Sequence, residues 1–220
     1  LKAFESLSQT SAAEPNLNII SNILPHEPYY MGEDCLPHQQ KFEVPNAEVA
    51  RRGHPSLFSL QHEITARCTL LLVADYLDFL KRGKVYDNTE IVLVSDHGIV
   101  GPVVDKSSRA LAGRTSDNVF VRSRSFLLVK KIGATGDLHV SEEFMPNAEV
   151  PRIVCERIGG CVNPFLANRP IAAFGRDDPF YVSLVPWQFS LQRPDAFVIH
   201  TQLMLKGKDP YKAENWAIIK

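Results

Sequence analysis

An α/β fold is predicted by three features of the chain: one long amphipathic helix, an apolar strand that follows it after a tight turn, and a carboxyl-terminal stretch in which strands succeed one another. The helix is read from Pro55, a good first-turn residue, after which apolar side chains recur at Leu57, Leu60, Ile64, Cys68 and Leu71 with spacings of three and four. "KRGK" then supplies cations and a closing glycine at Gly83, which predicts a helix of about 25 residues. "VYDNTE" reads as a turn, and Ile91 to Ser95 as a buried strand. Helix, turn and apolar strand in that order predict a strand inside a sheet covered on both faces.

The remaining elements follow from the same signals. "NLNIISNIL", residues 16–24, alternates weakly and is rich in Ile and Leu, which predicts a strand running into Pro25. "PHEPYYMGEDCLP" is dense in Pro, Gly and acid and reads as loop. "NVFVRSRSFLLVKK" reads as one strand or two with "SFLLVKK" the more buried end, and "NAEVPRIVCERIGG" as a short helix closed by glycines. "FYVSLVPWQF", "AFVIHTQLMLKGK" and "WAIIK" read as consecutive strands of a small antiparallel sheet. The first dozen residues, small and polar, are expected to fray.

Composition narrows the function. Lys and Arg number 24 against 25 Asp and Glu, so the chain lacks the basic footprint of a nucleic-acid binder or a polybasic membrane patch. Runs such as "CTLLLVA" fall short of the roughly 18 apolar residues that cross a bilayer, and no signal peptide opens the chain. A start at Leu1 rather than Met suggests a product of processing or a piece of something longer. The four cysteines, at 35, 68, 155 and 161, form no CxxC pair and no zinc-ribbon spacing. Cys68, within the helical pattern, is expected to pack as a small hydrophobe. Cys155 and Cys161 flank "ERIGG", a separation that permits a bridge around a helix end in an oxidising compartment without requiring one.

Chemistry concentrates where "EIVLVSDHG" leaves its strand. In open α/β sheets ligands collect beyond the carboxyl ends of strands, and Gly98 permits a turn that swings Asp96 and His97 toward one point. A carboxylate with an imidazole suits Zn²⁺ or Mn²⁺ better than Mg²⁺ or Ca²⁺, which prefer all-oxygen shells. The competing reading has Asp96 capping the turn and His97 packing with its ring hydrogen-bonded. His26 and Glu27, held between Pro25 and Pro28, form a second candidate; such a histidine is also a common surface turn residue. His62 is expected to be satisfied within the helix, and His38, His54, His139 and His200 show no constellation. No serine or threonine stands in a GxSxG elbow, and no glycine-rich phosphate cradle precedes a helix.

"VYDNTEIVLVSDHG", "LPHEPYY" and "FLLVKKIGATGDLHVSEEFMPNAEVPRIVCERIGGCVNPF" together resemble the sulfatase-like members of the alkaline phosphatase superfamily, a group that includes phosphoethanolamine transferases and lipoteichoic acid synthases. The resemblance covers roughly residues 17–170. It implies an incomplete alkaline phosphatase-like sheet flanked by helices, residues 1–175 being the carboxyl-terminal part of a catalytic domain and 176–220 a strand-rich tail with a small antiparallel subsheet. It further implies that Asp96 and His97 ligate a divalent metal, Mn or Zn with Ca or Mg as alternatives, and that His26 contacts the phosphate or sulfate group. The substrate class implied is a phosphorylated or sulfated glycan or lipid head group, in a bacterial extracytoplasmic setting attached to the inner membrane through an upstream segment. The family's nucleophile falls before the segment matching Leu1, so this polypeptide alone is expected to be inactive. "IVGPVVDKSSR" lacks the second metal-site histidine of several transferases. A non-catalytic sulfatase-like domain that binds a glycan, lipid head group or protein is the competing expectation.

Overall fold

The long helix forms over Leu57–Arg82, 26 residues and about 39 Å of rise. Ser56 caps it, its hydroxyl accepting the Ser59 N–H at 3.2 Å, so the cap sits one residue beyond the proline that marks the start in sequence. Lys81 and Arg82 occupy the last turn, complementing the helix dipole. Gly83 closes it with a right-handed φ of −74°, and Lys84 takes the left-handed position at φ 57°.

A computed structural model describes residues 2–8, 10–11, 14–40, 43–99, 123–141, 143–163, 169–170, 179–184, 199, 201–207, 209–210 and 212–220. In chain order its elements are α1 (Lys2–Leu7), α2 (Asn46–Arg51), α3 (Leu57–Arg82), β1 (Ile91–Val94), β2 (Leu127–Lys130), α4 (Val150–Arg157), β3 (Val162–Asn163), β4 (Arg169–Pro170), β5 (Phe180–Leu184), β6 (Thr201–Leu205) and β7 (Trp216–Ile218). Single 3₁₀ turns at Asn147–Glu149 and Ala213–Asn215 precede α4 and β7. The architecture is mixed α/β: β1 pairs with β2, β3 with β4 antiparallel, and β5–β6–β7 form a three-stranded antiparallel sheet. The "NVFV" part of the predicted strand region lies outside the described residues.

The chain divides into two compact units. The first runs to Ile91 and includes Val129–Gly136; the second holds 92–99, 123–128 and the described residues from 137 onward. In the first, α3 presents Leu60, Ile64 and Cys68, one turn apart, to Met31 and Val49, with Leu24, Val44 and Leu57 around them. Each fully buried aliphatic side chain there contributes roughly 1.5–3 kcal/mol. Leu71, expected to continue the stripe, is 53% exposed, because the half-buried side of the helix passes to Leu72 and Val73. Cys68 is fully buried as expected of a small hydrophobe, but it is also bonded to Cys35, a pairing across 33 residues that the sequence reading did not make. Cys35 sits at φ 58°, a left-handed position unusual for a residue with a Cβ, in a loop where the Gly32 N–H bonds the Leu36 carbonyl at 3.1 Å. A Cβ on Gly32 would overlap the His38 ring.

Two strand expectations are corrected. Residues 16–24 form no strand: Leu17, Ile19 and Ile23 are 64%, 86% and 80% exposed, an alternating pattern that no strand among the described residues pairs with. Alternation becomes a strand only when a partner supplies the ladder. And β1 is not sealed inside a sheet: its first three residues are half-buried and Val94 is 40% exposed, because β2 is its one neighbour among the described residues.

In the second unit, β5, β6 and β7 register Leu203 against Val182 and Ile218, and Leu205 against Phe180 and Trp216. Leu203, Leu205 and Trp216 are its buried centre, with Phe144, Phe180 and Val182 packed against them. The Trp216 indole N–H is satisfied by the Pro210 carbonyl at 3.0 Å, and Phe144 meets Phe180 edge-on at 5.3 Å. The short helix α4 forms as predicted, with Pro151 in its first turn and glycines at φ 82° and 105° closing it at Gly159 and Gly160. Cys155 and Cys161 form the bridge that their separation allowed.

Candidate functional site at the end of strand β1

Where β1 ends, the backbone is held from three sides within the second unit. The Ser95 N–H bonds the Phe126 carbonyl at 3.0 Å and the Phe126 N–H returns to the Ser95 hydroxyl at 2.7 Å. The side-chain amide of Asn147 then donates to the carbonyls of Ser95 (2.8 Å) and Asp96 (3.1 Å), while its own carbonyl accepts the Ser125 hydroxyl at 2.7 Å. Carbonyls that leave a ladder need new donors. One asparagine supplies both and so sets the direction in which residues 96 and 97 depart.

The side chains of Asp96 and His97 make local hydrogen bonds. Asp96 Oδ1 accepts the N–H of the next residue, His97, at 2.9 Å. Its Oδ2 stays 3.6 Å from His97 Nε2, and the carboxylate is 88% exposed against 31% for the imidazole. His97 Nδ1 lies 2.6 Å from the Gly98 carbonyl, an acceptor only. In the neutral ring the proton is therefore on Nδ1 and Nε2 is the lone-pair nitrogen. Two lone-pair donors 3.6 Å apart fit a common cation bound at about 2.0–2.2 Å from each, and a backbone carbonyl fixing the other ring nitrogen is the usual outer support of a ligating histidine. Among the described residues no group of three or more His, Cys, Asp and Glu side chains is placed to hold a metal.

His26 belongs to the first unit. Its N–H bonds the Ile23 carbonyl at 2.8 Å, and its ring, 54% exposed, turns Nδ1 toward the Glu27 carbonyl at 2.5 Å, between cis peptide bonds at Leu24–Pro25 and Glu27–Pro28. Nearby, Tyr29 is buried edge-on to Phe58 (5.2 Å) and His62 (6.0 Å). Burial, with the Glu27 carboxylate adding to it, pushes the Tyr29 hydroxyl up to about 12. Burial pushes His62 down, opposed by Glu27.

Two histidines expected to stand alone do not. His38 Nε2 is 3.1 Å from Asp34 Oδ1, and His54 bridges Ser59 and Glu63. The sequence reading also missed Asn147. Its one signal was an asparagine after a proline at a helix start, which reads as a cap; here its side chain reaches the strand end instead.

Compared with known proteins, the chain matches no protein-family model, no curated protein and no solved structure.

Proposed function

We propose that the chain is part of a metal-dependent sulfatase-like hydrolase or phospho-group transferase acting on phospho- or sulfo-esters. Asp96 and His97 would hold a divalent cation, Mn²⁺ or Zn²⁺. The observation that carries this reading is the 3.6 Å approach of Asp96 Oδ2 to His97 Nε2, at the exposed end of a strand. When bound, the cation supplies charge stabilisation for the developing oxyanion. The chain's own residues would hold it: Asp96 by its carboxylate, His97 by Nε2, and Asn147 by fixing the two carbonyls behind them. Two protein donors make for weak affinity. Two disulfides support placing the protein in an oxidising, extracytoplasmic compartment, where such bonds persist.

The test is Mn²⁺ titration followed by paramagnetic broadening of histidine ring resonances. His97 should broaden first, and the effect should vanish in Asp96→Asn and in His97→Ala. Broadening that ignores both substitutions sinks the site. Hydrolysis of p-nitrophenyl phosphate and sulfate with Mn²⁺ should be at background for this polypeptide alone, and turnover at an ordinary enzymatic rate would overturn the expectation that its nucleophile lies elsewhere.

A further inference from the structure

The turn into α3 carries a second constellation. His54 is anchored by its N–H to the Val49 carbonyl at 3.1 Å, is followed by Pro55, and has a side chain only 13% exposed. Its Nδ1 is 3.2 Å from Ser59 Oγ and its Nε2 is 3.0 Å from Glu63 Oε2. A carboxylate can only accept, so in the neutral ring the proton sits on Nε2 and the Ser59 hydroxyl donates to Nδ1. Ser59 and Glu63 are one helical turn apart on α3, which sets both along the strip over which His54 is held. Hydroxyl, imidazole and carboxylate thus stand in the order nucleophile, base, orienting acid.

The surroundings bear on which electrophile suits them. The first turn of a 26-residue helix lies here, so the Leu57 and Phe58 amides have no intrahelical acceptor and the positive end of the helix dipole is at hand for a developing oxyanion. Glu63 brings negative charge, and the neighbouring Arg52 guanidinium is engaged by Glu48 and Glu33. An anionic ester is disfavoured beside that carboxylate; an uncharged one is not. Phe58, the residue before Ser59, is half-buried and apolar.

The geometry points to Ser59 as the nucleophile of an acyl-transfer site for neutral carboxylic esters, with His54 as general base and Glu63 as the residue that orients it. Ser59 Oγ bonds to the ester carbonyl carbon as its proton passes to His54 Nδ1. The carbonyl electron pair moves to oxygen and returns as the bond to the alkoxy group breaks, and the departing alkoxide takes the proton from Nδ1. Water, losing a proton to the same nitrogen, then releases the carboxylic acid and restores Ser59.

An alkyl fluorophosphonate, uncharged and losing fluoride to a nucleophilic serine, tests this on the full chain. One adduct should form and map by peptide mass to Ser59. It should be absent in Ser59→Ala and form at least tenfold more slowly in His54→Gln, which keeps a side-chain amide but no base; helicity at 222 nm checks that each variant folds. p-Nitrophenyl acetate should release nitrophenolate with the same ranking. An unmodified Ser59, or a rate unchanged in His54→Gln, overturns the assignment. Should His54→Gln not fold, the urea-unfolded wild-type chain provides the baseline: native labelling at Ser59 at least tenfold faster supports the site, and any smaller ratio overturns it.

Discussion

In the first unit Cys35–Cys68 joins residues 33 apart in sequence, whereas in the second Cys155–Cys161 closes a loop of 6. The difference reflects what else orders each region. The loop around Cys35 contains one isolated bridge, Met31 to Pro37, and turn hydrogen bonds, so little regular structure fixes it against α3. The second unit has β5, β6 and β7 in continuous antiparallel register around Leu203, Leu205 and Trp216. A covalent link across a long loop removes more unfolded-state freedom than one across a short loop: roughly 3–4 kcal/mol for a closure of 33 residues and roughly 2 for 6, by the chain-entropy relation. The irregular region carries the link of longer reach.

The largest expected effect tests that contrast. Replacing Cys35 and Cys68 by Ala should lower stability by roughly 3–4 kcal/mol, with far-UV circular dichroism reporting α3; the Cys155→Ala, Cys161→Ala pair should cost about half as much. Equal losses would break the comparison. Next comes pH. Tyr29 binds its proton more tightly folded, at about 12, than the ordinary 10 of the unfolded chain, so its contribution is intact below pH 10 and is lost as pH rises from 10 to 12. Absorbance at 295 nm should show one tyrosine ionising late, together with loss of α3 signal, while Trp216 fluorescence in a Trp187→Phe background holds to higher pH. Asn147→Ala acts on the second unit. It strips donors from the Ser95 and Asp96 carbonyls and should cost about 1–3 kcal/mol by urea unfolding. It should also weaken Mn²⁺ binding measured by electron paramagnetic resonance; unchanged binding would separate stability from site geometry. The smallest effect belongs to Lys84→Gly, which relieves a φ of 57° and should raise stability by about 0.5–1 kcal/mol, seen as a small rise in the melting temperature of the helix.

What could be read in the sequence was what short-range chemistry decides. The three-and-four spacing from Leu57 to Cys68, the cations before Gly83, the glycines after Arg157 and the runs that hold β5, β6 and β7 each signal structure within a few residues, and among the described residues a helix or strand forms at each, with 185–189, 196–198, 200 and 208 of the predicted strands lying outside them. The placement of Asp96 and His97 on one carboxylate-to-imidazole approach was legible because Gly98 and the strand end are their immediate neighbours. The rest depends on partners remote in the chain. Residues 16–24 carry strand-like alternation, but a ladder needs a second strand. Cys35 and Cys68 meet only once the loop folds over α3. His54, Ser59 and Glu63 are close in sequence, yet their convergence depends on the helix starting at Leu57, one residue after the cap and not at Pro55.

Asn147 bonds carbonyls that lie 52 and 51 residues before it. A ribosome makes Asp96 and His97 long before it makes the amide that aims them, so the pair lacks its final orientation until that later stretch has been synthesised and has docked. The direction in which residues 96 and 97 leave the strand is thereby tied to completion of the neighbouring chain, and a polypeptide halted short of residue 147 would carry both side chains without the amide that sets it.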